Sequence, residues 1–392
     1  MTSVLQRFSD LDSITSLADW PRLVSRAGLY ESEAWSRFIA QSDELVTTYV
    51  VAKHADTVSC VLPLYAWRSL PGILMHQHGS EIRVLSGLIC DIRATLRGAW
   101  WAGTVGSHTN ELRLATGNVA NEPDRDLLAA TTRIANREGR PLLFPHLTSA
   151  AAAGLLGVLG DELQLLAIDA VAYLDVGAGD FNTYLGSLSR NRRRSALHEM
   201  RRFERSGYSL TIGAMPERLD VMARLMCEVL SRHHYPIDMP RVRRYLLRLA
   251  NALGNQAIVI SAARADLMVG FSLLLSWGTE LHAYKLGLDY ERNAGHDVYF
   301  NVGYYGPIQL AATNAPRRLY LGSGALKVKL MRGAALETRW LGVWGLVNTD
   351  RLCSAARKWN EVQRASFCRL LAEHGRSLRP GDLAMFSRVT AA

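Results

Sequence analysis

Two stretches of this sequence are built alike. TYVVAKHADTVSCVLPLYAW (48–67) and IVISAARADLMVGFSLLLSW (258–277) each hold two β-rich runs around a short turn. Runs of Val, Ile, Thr and aromatic residues bounded by turn residues predict a β-hairpin in each. Both carry Ala-Asp at the turn, and both place a tryptophan twelve residues beyond the alanine, Ala55 to Trp67 and Ala265 to Trp277. Each hairpin leads to a helix and then a short apolar strand, PLLFPHL (141–147) in one case and RRLYLG (317–322) in the other. The same order met twice predicts one supersecondary plan used twice. The expected fold class is therefore α/β (α+β), with two related domains, each a mixed central sheet flanked by helices. The expected divisions are a lead-in over 1–30, a first domain over 31–177, a second over 178–346 and a helical extension over 347–392.

A chain of 392 residues, 48% hydrophobic and 21% charged, suits two or three globular domains with their own cores. The start, MTSVLQRFSDLDS, has early acids and no apolar run, so it is not expected to act as a secretion signal. Apolar runs such as AAAGLLGVLG (151–160) fall short of the ~20 residues that span a bilayer. The five cysteines are scattered, without CxxC spacing or a histidine at ligand spacing. They predict reduced thiols, a cytoplasmic protein and no metal. A net charge of +9, dominated by arginine, favours phosphate-rich partners, although a GC-rich genome produces the same bias.

The remaining elements follow from periodicity and caps. Residues 1–30 read as a polar lead-in with one helix, and 34–42 as a helix. Short strands are expected around 73–78, 83–90 and 110–115. Helices are expected over 122–140 and 148–160, with strand character over 163–176. In the second half, SRNRRRSALHEMRRFERSG (189–207) is a strongly basic helix stopped by Gly207. A strand (208–214) and helices over 216–233 and 240–253 precede the second hairpin.

From Tyr284 to Gly333 the chain runs strand, polar turn, aromatic helix, strand and basic turn: LHAYKLGLDY, ERNAGHD, VYFNVGYYGPIQLAA, RRLYLGSGALKVKLMRGA. A helix N-terminus after such a turn offers unpaired N–H groups and a favourable dipole to an anion.

The basic helix, the aromatic helix and GSGALKVKLMRGA, in this order over roughly 30–345, resemble the GNAT acyltransferase fold in its tandem form. That form occurs in Fem-type peptidyltransferases and in peptidoglycan biosynthesis/recognition-like acyltransferases. Lys329, Arg332 and Gly333 match the K-x-x-R-G of the recognition-type proteins. The resemblance implies an acyltransferase that forms an amide on a small-molecule amine acceptor, such as a natural-product intermediate or cell-wall precursor. It implies aminoacyl-tRNA as the donor, with no permanently bound cofactor. In coenzyme A-dependent GNAT enzymes the turn reads R/Q-x-x-G-x-G/A. Here it is Arg292-Asn293-Ala294-Gly295-His296-Asp297, with an acid where the small residue belongs. That carboxylate is expected to cap the next helix and to repel a pyrophosphate. Acyl-coenzyme A remains the alternative donor, and a non-catalytic ligand-binding protein the alternative of another class.

The resemblance and the residue chemistry together nominate a site. Lys329 is expected to hold the donor end and stabilise the oxyanion, with Arg332 beside it. His282 and Tyr304 are the other catalytic candidates. Gly322, Ser323 and Gly324 would let a donor approach the backbone, with Lys327 nearby. Tyr284, Lys285, His234 and Tyr235 complete the binding candidates. On the basic helix Arg190, Arg192, Arg193, Arg194, Arg201 and Arg205 are candidate tRNA contacts, the alternative being a solvated basic face.

Overall fold

The computed structural model describes residues 4–24, 27–54, 57–68, 78–89, 92–112, 122–176, 180–235, 237–292, 296–313, 317–346 and 349–391. Among them the strands are β1 (Val4–Phe8), β2 (Leu45–His54), β3 (Thr57–Trp67), β4 (Trp100–Ala102), β5 (Leu142–Leu147), β6 (Leu163–Val176), β7 (Ser209–Ala214), β8 (Ala257–Arg264), β9 (Leu267–Trp277), β10 (Glu280–Leu288), β11 (Arg317–Gly322) and β12 (Ala335–Trp344). The backbone divides into two compact units, Met1–Ala170 with Glu337–Ala392, and Val171–Leu336. Among the described residues no helix is long and apolar enough to cross a membrane.

In the first unit β1, β2, β3 and β4 pair antiparallel in sequence, and β4 pairs parallel with β5. The later part of β12 joins the far side of β5, antiparallel. Residues 1–30 are more than the polar lead-in their composition predicts. β1 pairs with β2, and Leu11, Ile14, Trp20 and Leu23 share a buried cluster with Tyr49, Val51, Val58 and Val61. One of the three expected short strands needs correction: residues 79–86 form a helix that overlaps the strand expected over 83–90. Most of the other two, 73–77 and 113–115, lies outside the described residues. Asn110 contributes only an isolated bridge to Leu147. β-branched residues favour a strand at 83–90, but buried contacts made by His78 and Glu81 override that preference.

In the second unit β7 to β10 are successive antiparallel neighbours. β10 pairs parallel with β11, which pairs antiparallel with the end of β6. The two hairpins share a detail beyond sequence. The β2/β3 register shifts between Ala52 and Lys53, and the β8/β9 register shifts between Ala262 and Ala263. Counted back from the turn alanines, these bulges occupy the same place. Ala265 itself sits at φ 50°, in the left-handed region.

Caps set the helix starts. Asp180 accepts from the Thr183 N–H at 2.9 Å and Asp238 from the Arg241 N–H at 2.8 Å. The helices Leu219–Arg232 and Met239–Leu253 cover one face of β10. Gly287 lies beneath them, where a Cβ would meet Phe271 at 2.2 Å and Leu225 at 2.9 Å. The opposite face of β10 presents Leu286 and Leu288. These pack in one cluster with Val298, Tyr299 and Val302 of the aromatic helix and Phe203 of the basic helix. The basic segment after Gly324 is a correction to the expected turn. Leu326–Met331 is a short helix that carries Lys327 and Lys329.

Candidate active site

The parallel pairing of β10 with β11 spans Glu280–His282. Just beyond it β10 bulges at Tyr284. Ala283 pairs with Leu274 and Lys285 with Leu273, so Tyr284 has no partner in the β9 register. The bulge resets the alternation. His282 and Lys285, opposite Leu275 and Leu273, end on the same face of the sheet. His282 stacks on Tyr320 with centroids 4.7 Å apart, and its Nε2 lies 3.2 Å from Glu280. The Lys285 Nζ lies 4.6 Å from the Tyr284 ring centre and 5.3 Å from that of Tyr245. The hydroxyls of those tyrosines bond each other at 2.6 Å.

A second polar nucleus surrounds Arg332. Its guanidinium pairs with Glu199 at 2.6 Å and lies over the rings of Phe300, Tyr304 and Tyr305 at 4.1, 5.0 and 5.5 Å. Tyr305 donates to the same carboxylate, and the Tyr184 hydroxyl donates to the Arg332 carbonyl at 3.1 Å. Burial opposes the arginine's charge, yet Tyr305 and Glu199 hold its pKa above the ordinary value. Tyr304 bonds hydroxyl to hydroxyl with Tyr299 at 2.8 Å. Lys329, buried on the short helix, donates to the Gly322 carbonyl at 2.9 Å and so fastens the end of β11.

The basic helix Arg190–Arg205 has two faces. Inward, Arg192 donates to the Leu330 carbonyl at 3.3 Å, Glu199 meets Arg332, and Ala196 and Phe203 enter the core. Outward, Arg190, Arg193, Arg194, Leu197, His198 and Arg201 line a shallow cleft of about 310 Å³. Their spacing of three and four residues keeps them on one stripe. Arg205 is exposed at the last turn but does not line this cleft.

Asp297 corrects an expectation. It holds the N-cap position at φ 57°, but its side chain makes no capping hydrogen bond. Arg202 takes the carboxylate instead with two bonds, its Nη2 to Oδ1 at 2.5 Å. The helix start is met by backbone: the Phe300 and Asn301 N–H groups both reach the Asp297 carbonyl at 3.1 Å. A carboxylate neutralised by a guanidinium offers little repulsion to an anion nearby. Replacing it also suits the backbone, since glycine tolerates positive φ. Removing both members of the pair, Asp297→Gly with Arg202→Gln, is therefore expected to leave acyl-coenzyme A affinity unchanged in calorimetry. A gain of roughly tenfold, about 1.4 kcal/mol, would show instead that the acid guards the turn.

Thus the structure brings Arg332 and Tyr304 into contact, with Lys329 on the adjoining helix, while His282, Tyr284 and Lys285 gather on β10. Gly324 and Lys327 are exposed and Ser323 is half-buried beyond β11. His234, exposed at φ 63°, and Tyr235 lie in the turn after the helix Leu219–Arg232. Asn293, Ala294 and Gly295 lie outside the described residues.

Sequence reasoning missed Glu199, Tyr245, Tyr305 and Tyr320, whose partners stand far away in the chain. It also missed a buried cluster in the first unit. One ligand-type atom from each of His78, Glu81 and His146 lies within 4.8 Å of the others. The rings' hydrogen bonds decide what His78 can do there. Its Nε2 accepts the Gly106 N–H at 3.0 Å, so its proton is on Nδ1, facing Glu81 at 3.2 Å. Nδ1 then has no lone pair for a cation.

Residues 190–327 match the family model described as acetyltransferase (GNAT) domain. Comparison with curated proteins gives no match. The crystal structure of FemX is similar with a TM-score of 0.54 and 11% identity, over 86% of this chain and 96% of that one. A conserved protein of unknown function from Bacteroides thetaiotaomicron VPI-5482 gives 0.53 and 13%, over 87% and 100%. A tandem GNAT protein from the clavulanic acid biosynthesis pathway gives 0.50 and 9%, over 88% and 99%. Residues 190–327 are therefore similar to a GNAT acetyltransferase domain, and the chain has the fold of the FemX and tandem GNAT structures.

Proposed function

We propose that this protein moves an aminoacyl group from aminoacyl-tRNA to a small-molecule amine in the cytoplasm, forming an amide. The observation that carries the donor assignment is the outward face of the basic helix. Arg190, Arg193, Arg194 and Arg201 are exposed on one stripe, while the same helix's inner face is spent on Arg332, Asp297 and the core. Arginines arranged this way fit successive phosphates of a polyanion. The likeness to FemX supports the same reading. Bringing a donor ester and an amine together and holding the developing oxyanion supplies most of the rate in such a transfer. The acceptor class proposed is a natural-product intermediate or cell-wall precursor.

One observation favours acyl-coenzyme A as a second reading: Arg202 neutralises Asp297 beside the turn. The test is a transfer assay with charged total tRNA and an amine pool, read by mass spectrometry with and without ribonuclease. Ribonuclease-sensitive amide formation is expected. Product formed only with acyl-coenzyme A would overturn the tRNA assignment.

A further inference from the structure

Lys285 is 8% exposed, and among the described residues its Nζ makes no hydrogen bond. Burying an unpaired ammonium is costly, so an amine placed this way stands out in β10. It lies one residue past the bulge, just beyond the last residue of β10 that pairs with β11. The groups that face it are the Tyr284 ring on its own strand and the Tyr245 ring from the helix Met239–Leu253. His282 and Glu280 share its sheet face, two and four registers away. The other covering helix meets this face with Leu225, an apolar side chain.

We propose that Lys285 is the proton acceptor of the transfer step, acting on the amine that attacks the donor carbonyl. This rests on the acyltransferase reading above. The acceptor enters as a free amine. Its nitrogen bonds to the carbonyl carbon, and the carbonyl electron pair moves to oxygen. Lys285 Nζ removes the surplus proton from the new ammonium nitrogen. As the intermediate collapses, the bond to the leaving oxygen breaks and Lys285 returns the proton to that oxygen. An ester and an amine become an amide and an alcohol, and the lysine ends as it began. Burial, the one cause acting on it, pulls the Lys285 pKa from its ordinary value down to about 7, so near neutrality much of it is free base.

Lys285→Met keeps the length and apolar stem of the side chain without the amine. Its rate is expected to fall by ~10²-fold or more with KM little changed, losing the acidic limb of the pH profile, and added primary amines should restore part of it. A second measurement needs no donor. Reductive ¹³C-methylation of Lys285, assigned against Lys285→Met, should give a methyl-amine resonance titrating near pH 7. A folded Lys285→Met protein with the wild-type rate and profile would overturn the proposal, as would a resonance titrating above pH 9. If wild type transfers from neither donor, the functional reading fails, and the titration alone then decides whether Lys285 is a free base.

Discussion

Arg332→Ala is expected to cost about 3 kcal/mol of stability, because it strands a carboxylate whose partner is gone. The Arg332 and Glu199 side chains are only 8% and 17% exposed, so water repays little of the loss. The rings of Phe300, Tyr304 and Tyr305 lose the cation above them as well. For a protein of this size the melting temperature should fall by roughly 6–12 °C, at about 2–4 °C per kcal/mol. Urea unfolding of the single variants and of Glu199→Ala/Arg332→Ala measures the coupling. The double variant should cost clearly less than the two singles added. A single-variant loss under about 1 kcal/mol would show that the pair is solvated rather than buried. The result also bears on how Arg332 is assigned. Loss of turnover in Arg332→Ala says nothing about catalysis if the domain has loosened. Arg332→Lys, which keeps the charge but not the planar fork, is the variant to assay for activity.

The large elements were legible in the sequence because their signals are local. The two hairpins announce themselves by strand composition and by matched Ala and Trp spacing. The basic helix is bounded by Ser189 and Gly207, and the aromatic helix is marked by its run of aromatic and small residues after a polar turn. What the sequence hid depends on side-chain partners distant in the chain. Asp297 looks like a cap in isolation, and only the position of Arg202, 95 residues earlier, turns it into an ion pair. Plain alternation along His282-Ala283-Tyr284-Lys285 puts Lys285 on the face opposite His282. One unpaired residue, Tyr284, reverses that and buries the amine. A bulge of this kind leaves no compositional mark. Arg332 was visible as part of a motif, but its partner Glu199 was not, since one of two acids among many arginines reads as a helix-surface charge.

The outward arginines are expected to govern donor binding. Converting Arg190, Arg193, Arg194 and Arg201 together to serine should lower tRNA affinity by ~10²-fold at low salt and reduce the slope of log affinity against log salt by about 3, since each neutralised phosphate contributes roughly 0.7–0.9. Filter binding or fluorescence anisotropy across a salt series measures both quantities. Folding should survive, and the reason lies in the helix itself. Arg190, Arg192, Arg193 and Arg194 crowd the first turns, where there is no acid and where the helix dipole disfavours cations. Their position works against the helix they belong to, so local stability does not account for them. The fourfold variant should melt at or above the wild-type temperature. Arg192 is left in place because it donates to the Leu330 carbonyl and belongs to the packing. A matched control replaces Arg241, Arg243 and Arg244 on the helix Met239–Leu253, where loss of charge should alter the slope far less. If the fourfold variant binds tRNA as wild type does, with the same salt slope, the basic face is only solvated and the donor must be sought elsewhere. If tRNA binding falls but transfer from acyl-coenzyme A continues unchanged, the arginines read a polyanion that is not the substrate. Loss of tRNA binding and of tRNA-dependent transfer in step, with the melting temperature held, is the result that ties this face to the chemistry.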